Sequence, residues 1–345
     1  MKIGILTGGG DCPGLNAVIR AVVRRAEHHN FECMGIRDGW KGLVEDSNLR
    51  LTRQSVSGIL HVGGTILGTS RTNPFKKPEN VEKVLRTIDR HNLGAIVAIG
   101  GEDTLGVAKK LFEEKGVKIV GVPKTIDNDL YGTDFTFGFD TAVSIATEAI
   151  DRLHSTAESH KRVIVCEVMG RHAGWIATYA GIAGGADVIL VPEYPIDLGN
   201  VAKHLQHRHA QGKKFSIVVV AEGATVATAK GGENVTTSQR LDEFGHVQLG
   251  GIGQFLATEL EKRTGFETRV TVLGHIQRGG SPTAHDRVLA TRYGVKACDM
   301  VAAGEFGRMA ALRGNEVLSV PLSEATSKLK TVDPKLFEMA EVFFG

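Results

Sequence analysis

The sequence predicts an α/β protein of two doubly wound, mostly parallel sheets. Two observations point there. Short apolar runs rich in Val and Ile recur without polar alternation, as expected for strands buried on both faces. Amphipathic helical stretches separate them, giving the strand–helix alternation of βαβ units. At 345 residues the chain also exceeds what one compact core usually organises, so two domains are expected.

In chain order, strands are expected at 3–6, 33–36, 95–99, 119–122, 162–168, 188–191, 216–220 and 269–273. Helices are expected at 15–28, 80–91, 105–114, 141–159, 201–211 and 252–264, where apolar residues return at three- and four-residue intervals. The stretch from about 224 to 251 is polar, glycine-rich and aperiodic, and reads as a long loop or hairpin insertion. The expected division is 1–138, with 277–304 returning to it, and 139–276, with 305–345.

Composition excludes several classes. A formal charge of +2 provides no field for nucleic acid or a membrane surface. Cys12, Cys33, Cys166 and Cys298 form no C-x-x-C pair, which argues against a zinc site or disulfide framework and suits a reducing compartment. No apolar stretch approaches the ~20 residues of a membrane span. The chain opens directly into the strand-like run 2–7 without a basic-then-apolar leader, so a cytoplasmic protein is expected. His204, His207 and His209 lie on one expected helix, but no carboxylate or Cys completes a ligand set, and a solvated face is the better reading.

The chemistry concentrates at strand ends, where doubly wound sheets collect ligands. After the first strand comes Thr7-Gly8-Gly9-Gly10-Asp11-Cys12-Pro13-Gly14, leading into a helix, a setting that suits an anion held by backbone N–H groups. It matches neither G-x-G-x-x-G nor the Walker pattern. Strands ending near 99 and 122 release Gly100-Gly101-Glu102-Asp103-Thr104 and Pro123-Lys124-Thr125-Ile126-Asp127-Asn128-Asp129, one βαβ step apart and so facing one crevice. Converging carboxylates repel unless a cation intervenes, and Mg²⁺ held by one or two carboxylates and phosphate oxygens is the natural one. Lys124, and Arg71 of Thr69-Ser70-Arg71, supply positive charge.

With Met169-Gly170-Arg171, Glu222 and Gly274-His275-Ile276-Gln277-Arg278-Gly279-Gly280, these motifs resemble the 6-phosphofructokinase family, in order, from residue 2 to about 331. The resemblance implies two doubly wound domains with the active site between them, the first (1–138) binding phosphoryl donor and Mg²⁺, the second (139–276) binding sugar phosphate. It implies that Asp127 is the general base toward the sugar 1-hydroxyl, flanked by Thr125, Ile126 and Asp129. Glu102 stands where the family places a Mg²⁺-serving Asp. Gly9, Gly10, Asp103 and Lys124 would bind the donor, and Arg71 and Arg171 would stabilise the transferring group. Met169, Gly170 and Glu222 would contact the sugar. Arg269, His275 and Arg278 would hold its 6-phosphate, with Arg162 reaching across the interface of a homodimer or homotetramer.

The resemblance also bears on the donor. ATP-using members carry Gly where this chain has Asp103, and typically where it has Lys124. A carboxylate at 103 would occupy the space of an ATP α-phosphate. Two like charges about 4 Å apart at an effective dielectric of ~20 cost on the order of 4 kcal/mol, about a thousandfold in affinity. Lys124, expected to pair with Asp103, would neutralise the leaving phosphate. The resemblance therefore implies fructose 6-phosphate and pyrophosphate as substrates, with ATP as donor, or sedoheptulose 7-phosphate as acceptor, the alternatives. Arg20, Arg24, Lys213 and Asp187 match effector-binding positions of bacterial relatives, but His154 replaces an expected Arg, so weak or absent allosteric control is implied. A non-catalytic two-domain binding protein would share the architecture but not need Asp127.

Overall fold

The computed structural model describes residues 1–228, 231–234 and 249–344. Its strands are β1 (Lys2–Thr7), β2 (Glu32–Ile36), β3 (Asn48–Leu51), β4 (Leu93–Gly100), β5 (Ile119–Pro123), β6 (Val163–Val168), β7 (Val188–Leu190), β8 (Ser216–Ala221), β9 (Thr225–Thr228), β10 (Gly231–Asn234), β11 (Thr268–Val272), β12 (Arg308–Arg313) and β13 (Glu316–Pro321). The helices are α1 (Leu15–His28), α2 (Trp40–Glu45), α3 (Pro78–Arg90), α4 (Glu102–Lys115), α5 (Phe139–His160), α6 (Trp175–Ala183), α7 (Leu198–Ala210), α8 (Ile252–Thr264), α9 (Ala284–Ala303), α10 (Leu322–Ala325) and α11 (Pro334–Glu341). No described helix is long and apolar enough to cross a membrane.

Two sheets organise these elements. The first runs β13-β12-β5-β4-β1-β2-β3, parallel from β12 to β2 with an antiparallel strand at each edge. The second, β11-β6-β8-β7, is parallel throughout. Successive residues of a strand face opposite sides, and here both sides are apolar. Ile3, Ile5, Val97 and Ile99 join one core with Ile164, Cys166, Ile217 and Val219 of the second sheet. Leu6, Ile36, Ile96 and Ala98 pack outward against α3 and α4, and Val165, Val218 and Val220 against α7 and α8. Burial on both faces is why the strands read as unbroken apolar runs.

The first sheet reverses its winding between β1 and β4, which opens a crevice at their carboxyl ends. The second sheet turns the carboxyl ends of β6 and β8 to the same region. One expectation about chain routing is corrected. Residues 305–345 were assigned to the second unit, yet 308–321 form β12 and β13 of the first sheet, because β12 pairs with the exposed edge of β5. Of the expected insertion at 224–251, residues 225–228 and 231–234 pair antiparallel as β9 and β10, and most of the remainder lies outside the described residues.

Candidate active site

The first-sheet wall of the crevice is built on glycines whose neighbours leave little room for a side chain. Gly8 N–H donates to Ile99 O at 2.9 Å and Gly9 N–H to Ser70 O at 3.1 Å, while Thr69 Oγ1 donates to Gly9 O at 2.6 Å. The 69–71 segment carrying Arg71 is thereby stitched to the glycine loop. A Cβ on Gly8 or Gly100 would strike Thr104, at 2.6 and 2.3 Å, and one on Gly10 would lie 2.7 Å from Arg278 Nη1. Glu102 and Asp103 occupy the first turn of α4, where the helix dipole favours carboxylates. Lys124 is buried, and its ammonium donates to Gly10 O at 2.7 Å. The side chain expected to pair with Asp103 thus reaches under the glycine loop instead. Burial holds the Lys124 amine below its usual range, and a bound anion would offset that cost.

The loop after β5 is held by its own side chains. Thr125 Oγ1 accepts from Asp127 N–H at 3.0 Å, and Thr136 Oγ1 donates to Thr125 O at 2.7 Å. Asn128 has φ 52° and its Oδ1 accepts Thr136 N–H at 3.1 Å, fixing the turn between Asp127 and Asp129. Asp127 is 3% exposed, and its Oδ1 has no hydrogen-bond partner among the described residues. A buried acceptor left open is costly unless something else fills it. Burial, and then the neighbouring Asp127, push Asp129 up to about 7; Arg171 opposes the shift and Glu102 adds to it. Ile126 is fully buried in the core, so its side chain does not reach substrate as expected.

The second sheet supplies the facing wall. Glu222 N–H donates to Val168 O at 2.8 Å, placing the end of β8 beside that of β6. Arg171, at φ 51°, donates its N–H to Glu222 Oε1 at 3.2 Å. Gly223 permits this contact, since a Cβ there would lie 1.7 Å from Arg171 O. Burial and then Asp127 push Glu222 up to about 7. Met169 N–H donates to Gln277 Oε1 at 2.9 Å, which ties the 274–278 turn to the strand end. Arg278 Nη1 reaches Asp11 O at 3.3 Å and lowers the Glu222 pKa, so it spans both walls. His275 lies exposed on the same turn.

Arg162 and Arg269 stand elsewhere. Both approach Glu267, Arg162 at 2.8 Å, where β6 and β11 begin. These strands are parallel with Thr268 opposite Val163, so both arginines sit at the amino ends. At ~3.3 Å per residue they lie roughly 15–20 Å along the strands from Arg171. Arg269 therefore does not join His275 and Arg278 as expected, but shares the position of Arg162. Of the effector positions, Asp187 is ion-paired with Arg208 at 2.6 Å and also accepts Ile217 N–H, while His154 bonds Gly184 O at 2.7 Å.

Two further residues tie the site together. Gln277 lies within the 274–280 motif, which by itself assigns it no role. Lys330 lies far along the chain with no motif around it, yet its N–H donates to Asp129 O at 2.9 Å. Glu102, Asp127 and Asp129 influence one another, but no three His, Cys, Asp or Glu side chains form a closed metal cage among the described residues. Such a donor set fits a Mg²⁺ ion that takes its remaining ligands from phosphate and water. The arrangement joins a glycine loop with Lys124 beneath it, an open buried carboxylate at Asp127, and Glu222 hydrogen-bonded to Arg171 at the ends of the second sheet.

Comparison with known proteins places this geometry in context. The phosphofructokinase family pattern matches residues 2–301. The chain is 59% identical to the pyrophosphate–fructose 6-phosphate 1-phosphotransferase of Amycolatopsis methanolica and 57% identical to that of Streptomyces coelicolor, covering 100% of each chain. It is 52% identical to ATP-dependent 6-phosphofructokinase 3 of Streptomyces coelicolor, over 99% of both chains. Its fold superposes on Saccharomyces cerevisiae phosphofructokinase with a TM-score of 0.79 at 32% identity, covering 99% of this chain and 46% of that one. The pyrophosphate-dependent phosphofructokinase of Marinobacter aquaeolei shares the fold at a TM-score of 0.81 and 24% identity, over 96% of this chain and 86% of that one. A family match over most of the chain, and relatives this similar along its whole length, make it a member of the phosphofructokinase family.

Proposed function

We propose that the enzyme transfers a phosphoryl group reversibly from pyrophosphate to the 1-hydroxyl of fructose 6-phosphate, in the cytoplasm. The observation that carries the choice of donor is the Lys124 ammonium beneath Gly10, 2.7 Å from its carbonyl, with Asp103 in the adjoining first turn of α4. A cation there meets the charge of a departing phosphate, and a carboxylate at 103 repels the α-phosphate of a nucleotide. Identities of 57–59% to relatives named for pyrophosphate, against 52% to one named for ATP, lean the same way.

In the proposed reaction Asp127 Oδ1, the open acceptor, takes the proton of the 1-hydroxyl as that oxygen attacks the nearer phosphorus. The bridging P–O bond breaks and phosphate leaves toward Lys124 and Arg71. Thr125 and Asp129 hold the loop's geometry, and Arg171 faces the charge on the transferring group. Glu222, Met169 and Gly170 line the sugar, with His275 and Arg278 at its phosphate. Arg162 and Arg269 would serve the site of a second copy in a homodimer or homotetramer. Mg²⁺, held by Glu102 with help from Asp127 or Asp129, would neutralise phosphate oxygens when bound. With Asp187 committed to Arg208, allosteric control is expected to be weak.

Purified protein with Mg²⁺ and fructose 6-phosphate tests the reading directly. Pyrophosphate should support turnover well above ATP, and D103G combined with K124G should raise ATP use. ATP turnover equal to that with pyrophosphate would sink the donor assignment.

A further inference from the structure

The chain between α10 and α11 runs across the cleft as a strap. Leu329 forms an antiparallel bridge with Leu130, and Lys330 N–H donates to Asp129 O at 2.9 Å. Lys330 O accepts the Trp175 Nε1–H of α6 at 2.9 Å. Two residues on, Val332 N–H donates to Glu193 Oε1 at 2.9 Å, and Glu193 also accepts Gly174 N–H at the start of α6. One residue thus touches the catalytic loop on one side and α6 on the other.

The Lys330 side chain adds a charge to this tie. Its ammonium donates to Asp134 O at 2.5 Å and lies over the rings of Trp175 and Phe135, 4.9 and 5.9 Å from their centroids. Asp134 follows the same loop, so backbone and side chain of Lys330 grip both ends of the 129–134 turn. The side chain is half-buried, its ammonium set between the Asp134 carbonyl and the Trp175 ring. A Met would fill the same space but would make neither the hydrogen bond to the loop nor the cation–π contact to α6.

We propose that Lys330 is a positioning residue for phosphoryl transfer, its ammonium holding the 127–134 loop against α6 so that Asp127 and Asp129 stay in register with the facing wall. The proposal rests on the reading of that loop as the transfer machinery. Lys330 touches no reacting atom and acts through Asp129 and Asp134. Small displacements of such a loop cost rate more than binding, since the sugar is held mainly by the second sheet.

K330M, K330Q and K330R separate positioning from scaffolding. K330M and K330Q should lower kcat roughly 10- to 100-fold, with KM for fructose 6-phosphate within about threefold of wild type and Tm within a few degrees. K330R, which keeps cation and donors, should recover a large part of kcat. K330Q retains an N–H donor toward Asp134 O, so it carries the test if K330M does not fold. Wild-type kcat in K330Q would overturn the proposal. So would a K330R as impaired as K330Q with Tm falling in step, which would make Lys330 scaffold alone. Ratios to wild type are taken with both donors. An error about pyrophosphate then shows in the wild type, and an error about Lys330 only in the variants.

Discussion

Burial, and then the nearby Asp127 carboxylate, hold the Glu222 carboxyl above its usual range in the native state. A carboxyl raised from 4.5 to about 7 on folding makes its ionised form a burden on the fold. The sign follows from proton counts. Between these two values the folded chain holds a proton that the unfolded chain has released, so stability falls as pH rises through that window. E222Q should therefore raise stability at pH 8 by on the order of 1–3 kcal/mol. The gain should shrink as pH drops from about 7 toward 4.5, while activity is lost. Denaturant titrations at several pH values measure this; a variant less stable than wild type at pH 8 would show that the Glu222 contacts outweigh its desolvation. Placement at the strand ends was legible in sequence where a motif surrounded the residues, as for Lys124–Asp129 and Met169–Arg171. The direction of a long side chain was not legible. Lys124 turned to Gly10 rather than Asp103, and Arg278 crossed to Asp11, because packing chooses among rotamers that spacing leaves equivalent.

At the scale of elements, the amphipathic helices were readable to within about three residues, and two of them to the residue. α1 and α8 begin and end where their apolar periodicity does, each entered from a glycine with positive φ. α6 escaped because Trp-Ile-Ala-Thr-Tyr-Ala-Gly-Ile-Ala is apolar nearly all round, buried among helices, and offers no period. The β12–β13 hairpin escaped because its edge strand alternates weakly. Glycine contacts make a sharper statement about how two elements meet. G223A would press a methyl onto Arg171 O and is expected to cost about 1–3 kcal/mol, displacing Arg171 and lowering kcat. Gly106, within α4 and with nothing near its missing Cβ, is the matched control. G106A should stabilise by roughly 0.5–1 kcal/mol. Thermal melts of the pair check both, and equal effects would mean the close approach at 223 relaxes freely.

For the whole molecule, the two sheets were legible because each is built of strands buried on both faces. The path of the chain between them was not, since no local pattern says which sheet edge a late hairpin will join. The arginines at the amino ends of β6 and β11 lie far from their own cleft, which argues for a site completed by a second copy. Mixing D127N subunits with R269A subunits, each inactive alone, should restore about a quarter of wild-type activity on random reassociation. A mixture that stays inactive would place Arg269 outside the working site.

The return of β12 and β13 to the first sheet also sets an order of assembly. During synthesis β1, β4 and β5 emerge early, but the edge of β5 stays open until 308–321 leave the ribosome. The second sheet, finished with β11, has all its strands first. The nascent chain therefore carries an uncovered parallel edge through most of its translation, and the segment most exposed to mispairing is the one that leads directly into Lys124.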